Sequence, residues 1–233
     1  MKRPMNGEEL REARLRRGWT QQHAAKRLGV TQAYLSMLEQ GRRALPYRLA
    51  RKAAETLDAA ATTLPLRAET LLRSVGSDRL RAELGALGYP GFAHLRGRAR
   101  HNPAEVLDSA LNELDLDTRV VEGLPWLVLR YVDMDWDWLV LKAKVSDRQN
   151  RLGFVTTLAS ELSAMSADTG QFHKLKEYVA VLDRSRLARE DTLCHDSLTE
   201  VEKEWLRRNR TAEAAHWNLL TDMKAENLPH AQA

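Results

Sequence analysis

Short apolar stripes at helical spacing run through most of the chain. Glu9 to Arg17 turns Leu10, Ala13 and Leu15 inward. Ala24, Ala25 and Leu28 make a second small face and Leu35 with Leu38 a third, and a fourth helix runs from near Pro46 to about Leu57. The punctuation between them is sharp. Thr20 and Thr31 stand where a hydroxyl accepts from a free backbone N–H at a helix start. Gly29 and Gly41 stand where a left-handed residue stops a helix.

Further on, Leu66 to Val75 predicts a fifth helix and Asp78 to Leu87 a sixth. Gly88 to Asn102 reads as a linker or long loop, with glycines interleaved among Arg96, Arg98 and Arg100. Asn102 then caps a helix opened by Pro103 and striped by Val106, Leu107, Ala110, Leu111 and Leu114. Trp138, Leu141, Val145, Leu152, Val155, Ala159 and Leu162 predict one long amphipathic helix, with Arg148 in the skipped slot. Phe172, Leu175, Val179 and Leu182 mark another, and Leu198, Val201, Trp205, Ala212, His216, Leu219 and Met223 the last. Trp126 to Val132 is rich in β-formers and admits a hairpin with Trp138 to Val145. Helix is the preferred reading, because Pro125 suits a first helical position. The expected fold class is all-α.

Charge divides what periodicity does not. The 233 residues carry a net +4, but residues 1–65 hold +7, residues 66–101 hold +4 and residues 102–233 hold −7. A basic front suits a polyanion and an acidic rear a different partner. The expected organisation is a basic domain over 1–65 suited to a polyanion, a basic helical connector and linker over 66–101, and an acidic partner-binding or dimerisation domain over 102–233. The single cysteine, Cys194, excludes an intramolecular disulfide framework. Met1 to Leu10 has no apolar signal core, and the longest apolar run, Leu124 to Leu129, is far shorter than a bilayer span. A cytoplasmic, nucleoid-associated protein without membrane contact is expected.

The stretch LREARLRRGWTQQHAAKRLGVTQAYLSMLEQGRRALP, Leu10 to Pro46, resembles the XRE, or lambda-repressor-like, helix-turn-helix family. Arg14, Thr20-Gln21, Leu28-Gly29-Val30, Thr31 and Glu39-Gln40-Gly41 carry the resemblance. It implies a five-helix DNA-binding domain, operator DNA as partner, pairing as a homodimer, and an ion pair between Arg14 and Glu39. A helix fits the major groove and reads base edges from its N-terminal half. Gln32 and Tyr34 can exchange hydrogen bonds there, Ser36 is short and adaptable, and Ala33 and Met37 offer apolar contact, for example to a thymine methyl. Gln21, Thr31, Arg42 and Arg43 are candidates for holding the phosphate backbone.

The rear half leaves three readings open: an autoregulating antitoxin whose acidic helices cover a basic toxin, a stand-alone repressor with a ligand or dimerisation domain, or an enzyme fused to a DNA-binding domain. Asn150 to Phe154, NRLGF, resembles a short segment of antitoxins that partner nucleotidyltransferase-type toxins. Other constellations carry little. DMDWDW lacks the Gly and Glu that a calcium loop needs at its sixth and twelfth positions, so it reads as a helix-capping junction. Cys194, His195 and His216 show no nucleophile geometry in sequence, and His173 and His195 no metal-ligand spacing. Phosphate-binding and dinucleotide fingerprints are missing. No enzyme activity, metal or cofactor is therefore expected. Trp126, Trp136, Trp138, Trp205 and Trp217 read mainly as core, with any exposed member marking a partner surface.

Overall fold

A computed structural model describes residues 5–66, 75–95, 97–166 and 169–229, which are mostly helical. They fall into two compact units. The first holds residues 5–66 and the returning segment Ala99–Asn102. Its helices are α1 (Gly7–Arg16), α2 (Gln21–Leu28), α3 (Gln32–Glu39) and α4 (Tyr47–Leu57), followed by a 3-10 turn at Ala61–Thr63. Leu10, Leu28, Leu35, Leu38 and Leu57 close a core filled in by Ala13, Ala24, Ala50 and Ala53. Alanines at these contacts let short helices approach closely. Gly7 takes this furthest, since a Cβ there would collide with the Leu38 carbonyl of α3. Asn6 and Glu9 form a reciprocal capping box that starts α1. Leu15, expected inward, is exposed, because Arg14 takes the inward slot of that turn. Most of the expected fifth helix, 67–74, lies outside the described residues.

The second unit holds α5 (Ser77–Ala86), α6 (Pro103–Asn112), α7 (Thr118–Arg130), α8 (Trp136–Val145), α9 (Gln149–Met165), α10 (Thr169–Asp183), α11 (Glu200–Asn209) and α12 (Ala212–His216). Two-residue strands, β1 (Asp191–Thr192) and β2 (Leu219–Leu220), pair in parallel. The segment expected as a connector, 66–101, is divided between the units. α5 packs on α6 and α7 in the second, while Ala99 rests on the core of the first. Asn102, expected as a helix cap, spends its side-chain N–H bonds on the carbonyls of Thr62 and Leu64 at 2.9 and 2.7 Å.

α9 is the axis of this unit, buried on nearly every side between α7, α8, α10 and α12. The long helix expected from Trp138 to Leu162 is instead two. Asp147, at φ 55°, adopts the left-handed conformation, and the Arg148 N–H closes on the Ala143 carbonyl at 2.7 Å. An aspartate is one of the few residues that tolerate such a cap. The break rotates the face: α8 buries Trp136, Leu139 and Ala143, while Leu141 and Val145 of the expected stripe are exposed. The last stripe is broken likewise. Thr211 caps α12, and Val201 and Trp205 of α11 are 80% and 54% exposed. No hairpin forms at 126–145. Pro125 sits inside α7 rather than at its start, because Asp117 already caps that helix. Asp135 of DMDWDW caps α8, accepting from the Trp138 N–H at 3.0 Å.

All five residues of NRLGF turn inward. Asn150 bonds both backbone groups of Leu187, at 2.8 and 2.9 Å. Arg151 is fully buried, forked onto Asp191 at 2.9 Å through Nε and Nη2. It also reaches Asp196 at 3.2 Å and the carbonyls of Leu111 and Glu113. Leu152 and Phe154 are core. Gly153 leaves room for the Trp217 ring, which a Cβ would strike.

Asp108 sits beneath α8 with its carboxyl pushed up to about 6 by burial, against the pull of Lys142 and Asn112. An unfolded aspartate titrates near 3.9, so the folded chain holds the extra proton between about pH 4 and 6. The group's contribution is therefore full below about pH 4 and is lost as pH rises through 6. Asp108→Asn is expected to stabilise the protein at pH 7 by on the order of 2 kcal/mol, with little gain at pH 4. Urea unfolding of both proteins at the two pH values checks this; a variant weaker than the parent at pH 7 would refute it.

Candidate nucleic-acid interface

Caps at both ends hold α2 and α3. Thr20 accepts from the His23 N–H and Thr31 from the Tyr34 N–H, each at 3.2 Å. Gly29 and Gly41, at φ 74° and 69°, end the two helices. Beyond them the Val30 N–H returns to the Ala25 carbonyl at 3.0 Å, and the Arg42 N–H to Met37 at 2.9 Å. These six-to-one closures fix the direction in which the chain leaves each helix. Lys52 of α4 adds its ammonium to the Leu28 carbonyl at 2.9 Å.

With Leu35, Leu38 and Glu39 buried, the opposite side of α3 presents Ala33, Ser36 and Gln40, flanked by Gln32 and Met37. Tyr34 lies at the edge and packs against the core, so it is less free than its neighbours. Gln40 was not singled out from sequence; it follows Ser36 by one helical turn, is exposed, and donates to the Ser36 hydroxyl at 3.2 Å. Arg42 and Arg43 are exposed just beyond the helix.

A continuous relay stands behind this face. Arg14 forks onto Glu39, with Nε at 2.6 Å and Nη2 at 2.9 Å, and donates to the Trp19 carbonyl at 2.8 Å. The hydrogen bonds Arg14 donates to Glu39 raise the guanidinium above its ordinary value despite burial. Glu39 also accepts from the Gln21 amide at 2.9 Å, and Gln21 accepts from Gln32 at 2.7 Å. Both ends of Gln21 are thus engaged in orienting Gln32. A glutamine amide has two N–H donors, so beyond its bond to Gln21 the exposed Gln32 amide has one further donor and its carbonyl, the pair of groups that can match an adenine edge. The relay holds this side chain in one orientation.

The other sequence candidates do not converge. The Cys194 thiol is buried, donates to the Ala110 carbonyl at 3.3 Å and is pushed up to about 11 by burial. His216 faces Asp183 at 2.8 Å instead. Among the described residues no group of three or more His, Cys, Asp or Glu converges as a metal set, and no helix is long and apolar enough to cross a membrane.

Residues 10–63 match the helix-turn-helix family model. This segment is an XRE-type helix-turn-helix domain, and the protein is a DNA-binding transcriptional regulator. No curated protein and no solved structure matches the chain.

Gln32→Ala is expected to weaken specific binding by roughly 1–3 kcal/mol and random-sequence binding far less. Arg43→Ala should weaken both alike, since a phosphate contact carries no base identity. Anisotropy titrations on an operator fragment and a scrambled duplex distinguish them. Equal losses on both duplexes for Gln32→Ala would remove Gln32 from base reading.

Proposed function

We propose that the protein is a repressor that binds operator DNA as a homodimer, one α3 helix to each half-site. The observation that carries the reading is the free outer face of α3, with Gln32 preset by the Arg14–Glu39–Gln21 relay and Arg42 and Arg43 beside it. Ala33 and Met37 supply apolar base contact. Thr31, whose hydroxyl caps α3, brings the free N–H groups of the helix start to a phosphate. The C-terminal unit supplies pairing, and we assign it no catalysis or cofactor. An antitoxin role is the second reading. NRLGF, being interior, cannot be the covering surface; the exposed Val201 and Trp205 on helix α11 favour a partner surface there.

Binding to genomic promoter fragments is expected to fall linearly in log K against log salt, by roughly 0.9 per phosphate neutralised. A gel-shift series across ionic strength tests this, and the absence of any preferred fragment at every salt would overturn the operator reading.

A single helix-turn-helix reads few base pairs, so two copies one DNA turn apart are needed for a long site. The apolar pairs left outside the cores, Leu141 with Val145 and Val201 with Trp205, are the proposed pairing faces. Light scattering should give a dimer for the full chain. Val145→Glu or Trp205→Glu should give a folded monomer with weakened operator binding. A full-length monomer that binds a palindrome one-to-one would refute the dimer.

A further inference from the structure

The second unit contains a cleft of about 330 Å³ between α7, α11, the 193–195 turn and the tail from Leu220 to Leu228. That lies at the small end of the range for small-molecule sites, about 300–1,000 Å³. Val121, Leu193, Leu206, Leu220 and Leu228 give it an apolar wall. Its charges do not cancel. Lys224 is drawn to Glu226 at 3.6 Å. His195 lies in the field of Asp115 and Glu202. Glu122 and Asp222, both lining the cleft, have no described cation within ion-pair distance.

The cleft wall is also built rigidly. Cys194 adopts φ 55°, and its carbonyl accepts from the Leu116 N–H at 2.9 Å while the Asp196 N–H returns to the Leu114 carbonyl at 3.0 Å. The buried Arg151 grips this turn on both sides, at Asp191 and Asp196. A cavity held open by such a clamp does not have to be ordered by its ligand, which favours binding of a small molecule.

We propose that this cleft is an effector site for a small amphipathic cation. Its apolar body lies against the leucines and its primary or secondary ammonium is held by Glu122 and Asp222. A carboxylate of the same shape is repelled by the same two groups, and a wholly apolar molecule leaves them uncompensated. The cleft is lined wholly by residues of the second unit, so the test is read without DNA and its failure leaves the operator reading intact.

The probes are phenethylamine, tryptamine and cyclohexylamine, each with the carboxylate of matching body: phenylacetate, indole-3-acetate and cyclohexanecarboxylate. They are titrated into the full-length protein by calorimetry. At least one amine is expected to bind saturably and its matching carboxylate not to bind. Glu122→Gln and Asp222→Asn should each weaken that amine by about tenfold, and Leu206→Trp, which fills the cleft, should abolish binding. Circular dichroism reports folding of every variant, and Leu228→Phe fills the same space should Leu206→Trp fail to fold. The proposal is overturned by no saturable amine heat at millimolar ligand, by carboxylates binding as well as amines, or by amine binding that survives a folded, filled variant.

Discussion

Removing a guanidinium from water fixes the geometry of both units. Desolvation alone disfavours a buried arginine strongly, so it persists only where its N–H groups are met by acceptors in the right places. Arg14 meets Glu39 and the Trp19 carbonyl. Arg151 meets Asp191, Asp196 and two main-chain carbonyls. Each set of acceptors comes from segments far apart in sequence, so satisfying the charge locks those segments together. Breaking one such pair leaves the other charge buried and unpaired, at about 3–5 kcal/mol. An arrangement that leaves either charge unpaired is disfavoured by that amount.

The N-terminal unit was legible because its signals are local. Thr20, Gly29, Thr31 and Gly41 each act within a turn of their own position, and the structure caps or ends a helix at each. Leu15 was misplaced because apolar periodicity does not count a charged residue as core, whereas Arg14, paired with Glu39 25 positions away as the family resemblance implies, takes the inward slot. The same blindness hid the use of NRLGF. A pentapeptide with a glycine and an arginine resembles an exposed motif until Trp217 and Asp191 are seen to fill the space around it.

The helical stripes of the C-terminal unit misled for a related reason. Helical spacing continues through a break whenever the inserted turn preserves the phase. Between Val145 and Leu152 the apolar rhythm passes over Asp147, whose left-handed conformation splits α8 from α9. The acceptors that make the break favourable are backbone groups, which no side-chain pattern displays. Val145 and Leu152 therefore share a phase in the sequence, yet one is 71% exposed and the other buried.

This failure of pattern has a functional meaning. Apolar residues that keep a helical rhythm but leave the core are costly to expose in water. Leu141 with Val145 and Val201 with Trp205 are each spaced by four residues and each lie on one side of a helix. Three of the five rear tryptophans, Trp126, Trp136 and Trp217, are buried in the unit, whereas Trp205 is not. The buried members explain the fold. The exposed ones lie outside the core of the unit, and the proposed pairing of two chains would cover them.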